Sequence, residues 1–229
     1  MESAGADYPA GVIDRDDWLT DTRISYDTVA ASYSDFSRKA LAGAPYLRSA
    51  LALFADLVRA SGGGPVADMG CGPGHVTAEL HGHGVDAFGV DLSPAMIEVA
   101  RREHPELRFE VGSMTDLRLA DASVAGLLAF WSLIHVPDAE IRTVLGHFDR
   151  VVRPGGPVLI GFHVGDTSVL KTQGYGGHPM RVHSHRRQPG QVAAWLRDAG
   201  FTVEAQLLID PDADVPGAIV IARRRPAAL

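Results

Sequence analysis

Residues 66–80 read VADMGCGPGHVTAEL, with Gly70, Gly72 and Gly74 at alternate positions and Asp68 just ahead of them. Glycines in a turn between a strand and a helix let a ligand approach bare backbone. The dinucleotide fingerprint GxGxxG requires its third glycine at position 75, which is His75, and no GK[ST] phosphate loop follows. A carboxylate ahead of the turn is awkward for a pyrophosphate and suits a ligand that carries a cation. A second acid, Asp91, closes the apolar stretch AFGVD. At the end of a strand it can accept both hydroxyls of a ribose. The two acids and the glycine turn together describe an adenosine-like ligand with a positively charged tail.

The residues suited to moving a proton near neutral pH are histidines. His135, in SLIHVP, and His163 each follow an apolar stretch, where the carboxyl ends of parallel strands meet a ligand. His178, His183 and His185 lie in the segment HVGDTSVLKTQGYGGHPMRVHSHRR, residues 163–187. In a strand, His183 and His185 share a face with Arg181, and this face is expected toward substrate. Metal ligation needs three or more converging donors, and no metal is expected. His75, His81, His83, His104 and His147 fall on helices or helix ends and read as surface residues. Cys71 reads as a small apolar filler of the turn.

The elements that must position these groups alternate along the chain. An amphipathic helix from Asp21 places Ile24, Val29, Tyr33 and Phe36 at near-helical spacing. A second helix begins at Pro45 and stops at Gly62-Gly63-Gly64. Strands at 66–69, 87–91, 107–111, 124–130 and 158–162 are separated by helices at 75–81, 94–103 and 137–152. The segment 163–187 breaks this regularity and holds one short strand, Met180–His185. A helix at Pro189–Ala199 and the strand pair FTVEAQLLI and GAIVIAR close the chain. This pattern predicts an α/β fold with a doubly wound, mostly parallel seven-stranded sheet and an antiparallel terminal strand. Residues 1–20 read as a flexible N-terminus and 21–229 as a single domain. Within it, 21–61 forms a helical lid and 163–187 a substrate-covering insert.

The set of motifs resembles the class I S-adenosylmethionine-dependent methyltransferases of small molecules. VADMGCGPG looks like their first motif, GVDLSPAMIEVAR their second and GSMTDLRL their third. FWSLIHV with LGHFDRVVRPGGPVLIGF resembles their closing strands and helix. The resemblance implies a Rossmann-like methyltransferase fold and S-adenosylmethionine as cofactor, with S-adenosylhomocysteine as product. It also implies that Gly70, Gly72 and Gly74 lie against the methionine portion, that Asp68 favours its ammonium and that Asp91 holds the ribose. Leu92 and Met96 would pack the adenine, Ser113 and Met114 border it, and Phe130 lie beside the sulfonium. Many members carry Asp at the Ser113 position, so that contact is weaker here. Tyr26 would reach the cofactor from the lid. Tyr33, Tyr175, Arg181 and His185 would meet substrate, and His135, His163 and His183 are the candidates for proton transfer.

Composition narrows the partners. A formal net charge of -7 argues against a nucleic-acid footprint. One cysteine fits a reducing compartment. No apolar run approaches the roughly 18–20 residues of a membrane span, and the first residues carry no apolar signal core, so a cytoplasmic protein with no membrane partner is expected. Only two of the 21 basic residues are lysines, Lys39 and Lys171, and asparagine is absent, a usage that suits a GC-rich bacterial genome. The expected activity is methyl transfer to an O, N or C nucleophile of a small molecule. The competing readings are a nicotinamide-dependent oxidoreductase and a non-catalytic S-adenosylmethionine-binding protein.

Overall fold

The computed structural model describes residues 17–226. Helix α1 spans Asp17–Ala42 and α2 Pro45–Ala60, followed by β1 (Pro65–Met69), α3 (His75–Gly82), β2 (Asp86–Asp91), α4 (Pro94–Glu103) and β3 (Arg108–Val111). Then come β4 (Gly126–Phe130), α5 (Asp138–Val151), β5 (Pro157–His163), β6 (Ser168–Gln173), β7 (Pro179–His185), α6 (Pro189–Asp198), β8 (Phe201–Ile209) and β9 (Gly217–Arg224). The seven-stranded sheet has the order β3-β2-β1-β4-β5-β9-β8, and β9 alone runs antiparallel, between β5 and β8. This is the Rossmann-like order, in which the chain reverses direction across the sheet between β1 and β4.

Side-chain alternation splits the core into two layers. Ala67, Leu127, Val158 and Ile160 face α5 and α6, packing with Ile141, Phe148, Val192 and Leu196. Val66, Leu128 and Leu159 face the other way, onto Leu51, Phe54 and Val58 of α2 and Leu80 of α3. Helix α5 shows the underlying period plainly: Ile141, Val144, Leu145, Phe148 and Val151 make one buried stripe. Among the described residues no single helix is long and apolar enough to cross a membrane.

Three features differ from the sequence reading. The residues 1–16 of the expected flexible N-terminus lie outside the described residues, and 17–20 belong to α1. The buried face of α1 is not the apolar one: Ile24 and Phe36 are 52% and 53% exposed, while Thr22, Ser25, Val29, Ala30 and Ser34 are buried. Segment 163–187 is a two-stranded antiparallel hairpin, β6 with β7, in place of an irregular loop with one strand.

Candidate active site

The glycine turn is held by β2. Gly70 N–H and Cys71 N–H both donate to the Val90 carbonyl, at 2.7 and 3.2 Å. Gly72 N–H donates to Asp91 Oδ2 and Ser93 N–H to Asp91 Oδ1, each at 2.8 Å. The turn and the Asp91 carboxylate therefore form one rigid unit. Gly70 has φ of +73°, and a Cβ there would lie 2.3 Å from Ser132 Cβ, so only glycine fits. The Gly72 position meets nothing closer than Tyr33 Cε1 at 3.4 Å and faces open cavity. Gly74 differs from its neighbours. A Cβ there would meet Phe109 Cζ at 2.7 Å, so this glycine serves helix–strand packing and is absent from the cavity lining.

Two carboxylates stand at this end of the cavity with no cation beside them among the described residues. Asp68 is buried and accepts from Thr77 Oγ1 at 2.7 Å. Burial pushes its carboxyl up to about 7, and the Asp91 charge adds to that. Burial likewise lifts Asp91 to about 6, against the opposing pull of the Ser93 and Gly72 N–H groups. Two neighbouring acids, both raised by burial, make a site for a positively charged ligand.

Helix α1 roofs the turn. Tyr33 lies over Gly72, and its ring meets Tyr26 and Tyr175 edge-on at centroid distances of 5.6 and 4.6 Å. Polar latches hold the roof down. Ser93 Oγ and Ala95 N–H donate to Asp27 Oδ1, at 2.6 and 3.1 Å. Ser34 Oγ donates to Glu103, which also accepts from Arg38 at 2.8 Å. His75 joins this latch through Ser34 and His104, so it is a buried residue and not the surface one expected. Cys71 is buried against Ile97, Ala100 and Phe109, as a filler would be.

Beyond the turn, a cavity of 510 Å³ continues past Phe130 to Trp18, Leu19, Trp131, His135, His163 and Lys171. His135 follows β4 on a short 3-10 turn, Leu133–His135, and is buried. Its Nδ1 hydrogen bonds the His183 carbonyl at 2.7 Å, which places the proton on Nδ1. Its Nε2 then accepts the Tyr26 hydroxyl at 2.6 Å. Burial lowers the ring to about 4, assisted by Lys171, so His135 is neutral at physiological pH. The Tyr26 hydroxyl is raised well above its usual value, chiefly by burial, and keeps its proton. His163, at the end of β5, accepts Trp131 Nε1–H at 3.3 Å and is lowered to about 4 by burial and by Lys171 and Arg186.

The cavity lining brings together Tyr26, Tyr33, Asp68, Gly70, Gly72, Asp91, Leu92, Ser113, Met114, Phe130, His135, His163 and Tyr175. Tyr33, expected beside substrate, lies on the glycine side. The lining does not include Gly74, Met96, Arg181, His183 or His185. Met96 N–H caps onto Ser93 Oγ, and its side chain is fully buried with Val29, Val99, Met180 and Val182, not against the cavity. Met180, Val182 and Ser184 form the buried face of β7, so Arg181, His183 and His185 turn to the opposite face. Arg181 pairs there with Asp21, and His185 Nδ1 meets Ser168 Oγ at 2.6 Å. His183 contributes through its backbone carbonyl alone. Among the described residues the three-donor group that comes together is His75, Glu103 and His104 of the latch, not the insert histidines.

Sequence reasoning missed Trp18, Lys171, Trp131 and Arg187. Trp131 sits at a φ of +54°, rare for a bulky residue, and fits because Gly161 and Gly217 leave room for its ring. Arg187 is 2% exposed and donates to the carbonyls of Leu133 and Val136 and to Asp138, fixing the turn that carries His135. The signal for Trp131 is a pair of distant glycines. For Arg187 and Lys171 no motif existed.

Residues 66–156, from β1 to the loop after α5, match the family described as a methyltransferase domain. Over this segment the chain carries a methyltransferase domain, similar to those of the class I S-adenosylmethionine-dependent enzymes. It is 34% identical over 108 residues to the O-methyltransferase cnsE of Penicillium expansum, covering 44% of this chain and 38% of that protein. It is 26% identical to a ubiquinone biosynthesis O-methyltransferase of Xanthomonas axonopodis over 155 residues, covering 62% of this chain and 64% of that protein. The chain thus spans between about two fifths and two thirds of these relatives. In fold, the 1,6-didemethyltoxoflavin-N1-methyltransferase of Burkholderia thailandensis superposes with a TM-score of 0.70 at 24% identity, covering 96% of this chain and 95% of that one. S-adenosylmethionine is the cofactor of this methyltransferase domain. It carries positive charge on both ammonium and sulfonium, which fits two buried acids without a counter-ion and a bare glycine turn.

Proposed function

We propose that this methyltransferase transfers the methyl group of S-adenosylmethionine to an oxygen of a small molecule. The observation that carries the reading is the cavity's continuation past the glycine turn, roofed by α1 and ending among Trp18, Trp131, His135 and His163. That extension leaves space for a small acceptor beside the cofactor. A macromolecular acceptor would need an open groove, whereas α1 and the β6–β7 hairpin cover this one. The relatives named as O-methyltransferases favour oxygen over nitrogen or carbon.

In this reading Asp68 and Asp91 bind the cofactor's cation and ribose. Gly70 and Gly72 let it lie on backbone, and Leu92, Met114 and Phe130 supply apolar contact. Ser113 hydrogen bonds Thr115 Oγ1 at 2.8 Å, so its hydroxyl borders the site already partnered. When bound, the cofactor supplies an activated methyl group on a sulfonium. The protein's work is to hold the acceptor oxygen in line with it, and such positioning lowers a barrier by about 7–11 kcal/mol in favourable cases. The Tyr26 hydroxyl presents its oxygen to an acceptor O–H while its own hydrogen rests on His135 Nε2. The pair orients the acceptor oxygen and takes up its proton, substrate to Tyr26 and Tyr26 to His135. Closure of α1 and the hairpin over the site excludes water.

The test is incubation of the purified chain with methyl-labelled S-adenosylmethionine and an extract of its source organism, followed by size fractionation. Label in the low-mass fraction is the expected result. Label on protein or RNA contradicts the acceptor class. Cofactor binding without transfer to any fraction points to the non-catalytic binding protein instead.

A further inference from the structure

The acids of the cavity stand apart from its one lysine; Arg23, which also lines it, is paired with Asp27. The two acids that line it, Asp68 and Asp91, end β1 and β2. His163 ends β5, three strands from β2 in the sheet order, which is about 14 Å at ordinary strand spacing. Lys171 lines the same end as His163. Lys171 stands opposite Val182 in the hairpin register, and Val182 is buried, so the lysine shares the inward face of β6–β7. Its charge is felt at both His135 and His163.

Lys171 is half-buried and has neither a hydrogen bond nor an ion pair among the described residues. Of the arginines around it, Arg23 pairs with Asp27, Arg181 with Asp21 and Arg187 with Asp138, whereas Arg186 likewise has no ion pair among the described residues. Desolvation and the nearby Arg186 both disfavour the ammonium form of Lys171. A desolvated cation without a partner is costly to keep. It is also an unusual choice in this chain, since arginine supplies all but two of its 21 basic residues. His163 faces the same space with a donor, because its Nδ1 accepts Trp131 Nε1–H and the ring proton is left on Nε2. The walls around them, Trp18, Leu19 and Trp131, are apolar and largely aromatic.

We propose that this end of the cavity is an anion subsite, in which Lys171 Nζ and His163 Nε2–H hold a carboxylate or phenolate oxygen of an aromatic acceptor. The inference rests on the acceptor end assigned above and narrows it to one chemical class.

The test measures binding to the full chain saturated with S-adenosylhomocysteine. The probes are benzoate and 4-nitrophenolate, each beside a neutral counterpart, benzamide and 4-nitroanisole. Wild type is expected to bind one of the anions about tenfold or more tighter than its counterpart, as a charge-assisted hydrogen bond provides. Preference for benzoate identifies a carboxylate, and preference for 4-nitrophenolate a phenolate. Lys171→Met and Lys171→Gln are expected to abolish the preference with S-adenosylhomocysteine affinity unchanged, and Lys171→Arg to keep part of it. Equal binding of anion and counterpart in wild type, binding of neither anion, or a preference that survives Lys171→Met overturns the subsite. Methyl transfer to an uncharged acceptor would remove the subsite and leave the methyltransferase reading intact. Failure of wild type to bind S-adenosylhomocysteine would strike that reading itself.

Discussion

Cofactor binding should be coupled to a proton through Asp68. Burial lifts this carboxyl from 3.8 to about 7 in the free chain. A raised carboxyl favours the folded state in its neutral form, so its contribution to stability is full below about pH 4 and is lost as the pH rises through about 7. A cationic ligand reverses the preference, because it requires the carboxylate. At pH 6 about one chain in ten carries Asp68 ionised, and at pH 8 about nine in ten. S-adenosylmethionine and S-adenosylhomocysteine should therefore bind about tenfold more weakly at the lower pH, a difference of ~1.4 kcal/mol. Asp91, lifted to about 6, adds to the trend in the same direction. Titration calorimetry in two buffers of different ionisation enthalpy reads both the affinity and the protons released near pH 6, close to one from Asp68 and about half of one from Asp91. Asp68→Asn is the reference, since the ligand's own titration cancels against it, and its profile should be flatter. Removing the Thr77 hydrogen bond, as Thr77→Val, should steepen the wild-type profile. An affinity independent of pH, or an Asp68→Asn profile as steep as wild type, would refute the argument.

Other consequences follow from single contacts. His135→Ala should reduce turnover on the order of a hundredfold while S-adenosylhomocysteine affinity stays within about twofold; steady-state kinetics with wild-type values would make the residue structural. Because the His135 ring sits near 4, turnover should show no step from its titration between about pH 5 and 8. Gly72→Ala, strained by its φ of +53° but meeting open space, should cost about 1–2 kcal/mol of stability and weaken cofactor binding, whereas Gly70→Ala, strained and also driven into Ser132, should lower the melting temperature much further. Thermal shift with and without cofactor separates the two, and identical behaviour would contradict the geometry. Arg187→Met leaves the buried Val136 carbonyl without its donor, while the Leu133 carbonyl keeps Val136 N–H, and should cost about 1–3 kcal/mol in denaturant unfolding; a loss below about 1 kcal/mol would mean that solvent replaces it.

The glycine turn and the alternation of strands and helices were legible because both are local. An apolar run, a turn and a periodic helix stand within 15 residues of one another. Direction within a motif was less legible. Gly74 and Met96 lie in the right segments, but one is turned to Phe109 and the other into the packing beneath α1. The face of α1 was misread because it docks through Thr22, Ser25 and Ser34, residues that spacing rules assign to solvent. Strand β6 escaped notice because its residues are exposed apart from the half-buried Lys171, so no alternation marks it. The register of the hairpin, not the spacing of its histidines, decides that Lys171 meets the cavity and Arg181, His183 and His185 do not.

The most direct measurement is a carbon NMR spectrum of the low-mass product formed by the chain from 13C-methyl-labelled S-adenosylmethionine. An enriched signal in the O-methyl region is the predicted result. Enrichment in the N-methyl or C-methyl region, or no enriched small molecule from a chain that binds the cofactor, would contradict transfer to the oxygen of a small acceptor.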